Sequence, residues 1–151
     1  MGISTIGRTL EGIDAFERRE AEHFADLAGR AHDQGTVLVA LWLAGRKPHV
    51  QGLLSNLRRA EVDVIVKSPI FEELFVADPA RWLEERRLPD DASAEALIDL
   101  AIEGGRLLLD CARHLAEQRL ALEVRDFAGS FQAIALRELK ELKKIRALHY
   151  F

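Results

Sequence analysis

Leu10 to Ala31 reads LEGIDAFERREAEHFADLAGRA, and in it Leu10, Ile13, Phe24, Leu27 and Ala31 recur at the three- and four-residue steps of one helix face. A heptad register on the same stretch puts Glu17 and Glu20 on that apolar line. The spacing predicts a helix from about Thr5 to Ala31, broken by His32-Asp33-Gln34-Gly35. A buried carboxylate is costly unless it is paired or bound to a metal. Two questions follow: what packs against this helix, and what meets its glutamates.

A second helical pattern, about Thr36 to Ala60, carries Leu38, Trp42, His49, Leu53 and Leu57 on its stripe. Pro48 lies inside it and predicts a kink, because proline removes a backbone hydrogen bond. From Glu61 to Ala92 the periodicity degrades and Pro69, Pro79 and Pro89 appear. Asp78-Pro79 has the form of an N-cap followed by proline at the first helical position, so a short helix is expected over Pro79 to Arg86. A third long helix begins near Ser93 and runs through Leu97, Ala101, Leu108, Cys111 and Leu115, and a fourth runs from near Ser130 to about Leu148. Period-two alternation is nearly absent, and the expected class is all-α. The long 61–92 link calls for a four-helix bundle with one crossover, in which the second and third helices run parallel. A plain up-and-down bundle with a decorated loop is the competing architecture.

The 151 residues, 48% apolar and 30% charged, suit one domain with a buried core. A formal charge of -4 disfavours duplex binding, which uses a basic face. Cys111 is the sole cysteine and permits no intrachain disulfide, and Met1 to Leu10 has no secretory pattern. The longest apolar stretch, Val37 to Ala44, is far below the roughly 20 residues that span a bilayer. A cytoplasmic protein is expected. Met1-Gly2 suggests myristoylation, but Ile6 stands where that motif wants Ser or Thr.

The fourth helix repeats the theme of the first. Its stripe of Phe127, Phe131, Ile134, Glu138, Glu141, Ile145 and Leu148 again interrupts an apolar line with glutamates. A register through Ala135, Leu139 and Leu142 would turn Glu141 outward and keep Glu138 near the core. Glu17 and Glu138 either face inward or sit at a rim beside Arg or Lys; Glu20 and Glu141 are read as edge positions. His49 is a third inward candidate, although a lone histidine on an apolar face is more often a hydrogen-bonded core residue.

Glu17-Arg-Arg-Glu-Ala-Glu-His23-Phe24-Ala-Asp-Leu27-Ala28 resembles the first-helix motif of rubrerythrin-type ferritin-like proteins, a glutamate followed six and seven residues later by two aromatics and then Leu-Ala. Glu17 matches the metal ligand and Phe24 an aromatic. Ala101 to Ala116 follows the third-helix frame, with Gly105 in place of the ligand and Cys111-Ala112 in place of the aromatics. The family's second and fourth helices carry Glu-x-x-His, whose spacing turns both side chains to one face. Here the second has Arg46 and His49, and the fourth has Glu138 and Glu141. The resemblance implies a ferritin-like bundle, a homodimer and an ancestral di-iron function, with Glu17, His49, Glu138 and Glu141 as the remaining candidate metal ligands. It leaves open a single Fe, Mn or Zn held by Glu17, His49 and Glu138, or no metal, with Arg46 paired to Glu17 or Glu138 as a permanent cation.

Two classes of function stay open. One is a metal-dependent oxidoreductase handling iron, peroxide or oxygen; the other is a metal-free scaffold associating through an outer face such as Trp42 or Trp82 provides. Glu20-Ala-Glu-His23 is a literal Glu-x-x-His but is read as structural, and Lys140, Lys143, Lys144 and Arg146 as a solvated face complementing the helix dipole. Cys111 is read as a core residue. The chain has no rubredoxin-like cysteine pairs, Gly-rich phosphate loop or nucleophile motif.

Overall fold

The structure, a computed structural model, describes residues 4–46, 48–70, 75, 78–118 and 121–148. Most of them are helical: α1 Ile6–Arg30, α2 Gln34–Ala44, α3 His49–Ser55, α4 Arg59–Lys67, α5 Pro79–Glu85, α6 Ala94–Glu117 and α7 Leu122–Leu148. The all-α expectation holds, with one small addition. Strands β1 (Ser4–Thr5) and β2 (Pro69–Ile70) pair antiparallel, and the Ile6 N–H donates to the Ser68 carbonyl at 2.9 Å. The end of α4 is thereby fastened to the start of α1. Met1 and Gly2 lie outside the described residues.

Side-chain caps mark the starts. Thr5, Asp33, Asp78 and Ser93 each accept a hydrogen bond from a backbone N–H in the first turn of α1, α2, α5 and α6. Pro79 follows Asp78 at the first helical position, as the sequence predicts.

Residue pairs give the helix directions. Glu17 meets His49 while Glu20 meets Arg46, so α1 is antiparallel to the α2–α3 run. Arg30 reaches Asp90 just before α6, and Glu20 lies against Gly104 within it, so α1 is also antiparallel to α6. It follows that α2 and α6 run the same way, and the segment between them carries the chain back along the molecule. Arg146 bonds Asp99, and Gly105 faces Leu139 and Leu142, which sets α7 antiparallel to α6. Between these helices lie Ile13, Phe16, Phe24, Leu97, Ile98, Leu115, Val124 and Phe131, all essentially without solvent exposure.

Three boundaries differ from the sequence-based expectation. The second helix does not bend at Pro48 but stops at Ala44 and restarts at His49, since Gly45 and Pro48 together end one helix and cap the next. Arg59–Lys67 forms a separate helix across the expected boundary at Ala60. The last helix starts at Leu122 rather than near Ser130, because Gly129 and Ser130 lie on its exposed side and interrupt nothing. Its buried face follows Phe131, Ala135, Leu139 and Leu142, the register that turns Glu141 out. Leu38 and Trp42 are exposed and Thr36, Ala40 and Leu43 are buried, so the expected stripe on the second helix is rotated over α2. A segment as uniformly apolar as Val37 to Ala44 has no periodicity from which to choose a face. Among the described residues no helix is long and apolar enough to cross a membrane.

Two glycines make opposite predictions. A Cβ on Gly7 would sit 2.8 Å from the Val66 carbonyl oxygen, whereas Gly129 has nothing within 4 Å. Gly7→Ala should therefore destabilise the chain by about 1–3 kcal/mol, and Gly129→Ala should stabilise it by up to about 1 kcal/mol. Urea unfolding of the two variants tests both signs.

Candidate functional site

Each expected polar position is set by its element. Phe16, not Glu17, occupies the centre of the α1 core face, so Glu17 projects from its flank toward α3. Because α3 starts at His49 and its cap residue Pro48 has no side-chain donor or acceptor, the first N–H of that helix needs an acceptor from elsewhere. Glu17 supplies it: the His49 backbone N–H donates to both carboxylate oxygens, at 3.2 and 3.1 Å. The same carboxylate lies 2.8 Å from Nδ1 of the His49 ring, and Glu138 of α7 lies 2.6 Å from Nε2. The ring also stacks on Phe131, with centroids 6.2 Å apart and planes within 20°. His49 is thus clamped between two carboxylates.

The side chains of Glu17 and His49 are 9% and 8% exposed, against 28% for Glu138, so the cluster opens to solvent on the α7 side. Burial opposes charge on His49, but the hydrogen bonds to Glu138 and Glu17 outweigh it and push its pKa up to about 9. Burial likewise opposes the charge of Glu138, and the bond and charge of His49 overcome it, holding that carboxyl below its ordinary value. At neutral pH the centre is an imidazolium between two carboxylates.

Glu20 is the residue that sequence reasoning misplaced. Expected at the edge, it is only 6% exposed, because the core face of α1 runs Ile13, Phe16, Glu20, Phe24 and Leu27. Its presence in the heptad register was the available signal. Arg46 pairs with it at 3.4 Å, rather than with Glu17 or Glu138 as expected. Glu20 Oε2 and Arg46 Nε are buried without a hydrogen-bond partner among the described residues. Oε2 occupies the space a Cβ on Gly104 would fill. Burial, only partly offset by Arg46, raises the Glu20 carboxyl to about 7.

These groups surround a cavity of about 320 Å³, which Gly105 also lines. Glu141 is exposed on α7 and outside this cluster. His23 is half-buried and accepts from the Leu88 N–H at 3.4 Å, and Cys111 is buried, which pushes its thiol up to about 12. Trp82 packs edge-on against Phe16 with Arg86 over its ring, while Trp42 is exposed. Arg146 is tied to Asp99 and Glu95 beside exposed Lys140, Lys143 and Lys144.

A metal ion bonds an imidazole through one ring nitrogen. Glu17 and Glu138 stand on opposite ring nitrogens of His49, so a single ion cannot take all three in this arrangement. Among the described residues no group of three or more His, Cys, Asp or Glu is placed to hold a metal. The donor set therefore does not fit a two-metal centre: Arg46 brings a cation to the cavity lining, and Gly105 offers it no donor. Compared with protein-family models, curated proteins and solved structures, the chain finds no match.

The site makes stability fall as pH rises. The folded chain holds more protons than the unfolded one between 4.5 and about 7 at Glu20, and between 6.5 and about 9 at His49. Glu138 acts in the opposite sense, losing its contribution as pH drops below the ordinary carboxylate value. The melting temperature should therefore decline from about pH 5 to pH 9, with His49 accounting for on the order of 3 kcal/mol. Differential scanning calorimetry on wild type and His49→Gln checks this: the variant should lose the decline above about pH 7, where Glu20 no longer contributes, and keep the lower part.

Proposed function

We propose that this chain is a ferritin-like bundle in which protein charges replace the di-iron centre, and that it serves as a metal-free binding protein rather than an oxidoreductase. One observation carries this reading. Glu17, Arg46, His49, Gly105 and Glu138, five positions of the rubrerythrin-type ligand frame, line one cavity although they come from four helices and the link between α2 and α3. The parallel course of α2 and α6 agrees with a crossover between the halves of such a bundle. Within the frame, an imidazolium and a guanidinium supply positive charge to inward carboxylates, which is the electrostatic task of metal ions in such a centre.

The competing reading, an oxidoreductase working on iron, peroxide or oxygen, requires Glu138 and His49 to separate so that an ion enters between them.

Metal content of untagged protein prepared without chelators, with and without iron supplementation, decides between the two. Inductively coupled plasma mass spectrometry should find Fe, Mn and Zn far below stoichiometric in the wild type and in the Glu17→Ala, Glu138→Ala double variant alike. Near-stoichiometric metal that vanishes in the double variant would overturn the proposal and establish the metalloprotein.

A further inference from the structure

We propose that His23 is a proton-operated latch between α1 and the link 86–93 that joins α5 to α6: the neutral ring holds the link closed, and protonation in the mildly acidic range releases it.

Two side chains of α1 reach this link. Arg30 pairs with Asp90 at 3.5 Å on the exposed side, and His23 Nε2 accepts from the Leu88 N–H at 3.4 Å on the half-buried side. The two contacts differ in kind. A guanidinium keeps its charge throughout, whereas an imidazole accepts a hydrogen bond only while one of its nitrogens is bare. Accepting at Nε2 leaves the proton of the neutral ring on Nδ1. A second proton, on Nε2, turns the acceptor into a donor and sets it against another donor, the Leu88 N–H.

The surroundings give each form of the ring its own partners. Arg19, Glu22 and Asp26 of α1, with Glu84 of α5 and Arg87 of the link, line one groove with His23. Burial opposes a charge on the ring, as does Arg87, which precedes Leu88 in the chain; together they outweigh Asp26 and Glu84 and lower its pKa from 6.5. Once protonated, the ring has in those two carboxylates the acceptors it then needs. One set of partners closes the link on α1 and the other lets it go.

Release is local, because α5 is anchored apart from the latch. Leu83 is buried, Trp82 packs on Phe16, and Arg86 bonds Glu103 of α6. What opens is the stretch around Leu88, whose side chain is half-buried against the core. The sense is opposite to that of the polar centre, where proton uptake by His49 and Glu20 favours the fold.

Amide hydrogen exchange of the full chain, followed by NMR from neutral to mildly acidic pH and corrected for the intrinsic rate, reads the latch at Leu88. Protection of that amide should fall about tenfold by about pH 5.5, one unit below the ordinary imidazole value of 6.5, while the amides of α6 keep theirs. His23→Gln offers an oxygen acceptor that does not titrate and should hold the protection constant with pH; His23→Leu offers none and should leave it low throughout. Circular dichroism establishes that both variants are folded, and ring-nitrogen spectra of the wild type should show a proton on Nδ1 at neutral pH and a titration below 6.5. A Leu88 amide that is unprotected at neutral pH or indifferent to the titration of the ring, the same acid loss in His23→Gln, or wild-type protection in His23→Leu would each overturn the proposal.

Discussion

Two glutamates on the inner side of α1 stay there only if positive charge is brought to them, and much of the surrounding structure is arranged to bring it. Removing one partner from a buried charged cluster leaves the other uncompensated, at a cost of several kcal/mol. His49 and Arg46 answer Glu17 and Glu20 in order, three residues apart on each side, so the antiparallel course of α1 and the α2–α3 run is set by charge as well as by apolar packing. Glu138 closes the cluster from α7 and links the two halves of the molecule through one imidazole ring. Gly104 contributes by lacking a side chain, since the space beside its α-carbon is where Glu20 Oε2 lies.

The helices were legible where caps and periodicity agreed. Thr5, Asp33, Asp78 and Ser93 are capping residues placed where apolar spacing begins, and each caps the helix that follows. The register of α6 was equally clear, because Leu97, Ala101, Leu108, Cys111 and Leu115 have no apolar competitors on the opposite face and are all buried. Legibility failed where periodicity was absent or doubled. Val37 to Ala44 is apolar at every position, so Leu38 and Trp42 could be assigned inward as easily as Ala40 and Leu43. On α7 two apolar lines coexist, and the glutamates decide nothing until the helix has partners.

The site divides along the same line. Glu17, His49 and Glu138 were identified by register and by resemblance to a ligand frame, and they do meet. Glu20 reads as an edge position of the stripe, and burying a second carboxylate one helical turn from Glu17 is unfavourable in isolation. What makes it tolerable is tertiary: Arg46 from the link between α2 and α3, and the gap at Gly104. Neither partner is near Glu20 in sequence, so no local rule could pair them.

The gap between Ala44 and His49 has a geometric consequence for the polar centre. Along an unbroken α-helix each residue advances the side-chain direction by about 100°, so the bearing of a histidine would be locked to that of every core residue before it. Here the helix ends and a new one starts, with Glu17 serving as the cap that proline could not provide. The joint uncouples two angular phases: α2 packs Ala40 and Leu43 into the core on one bearing, while α3 aims His49 on another. A change of length at the joint re-aims the imidazole without repacking α2, which makes this joint the place where the chemistry of the cavity can diverge while the bundle around it stays the same.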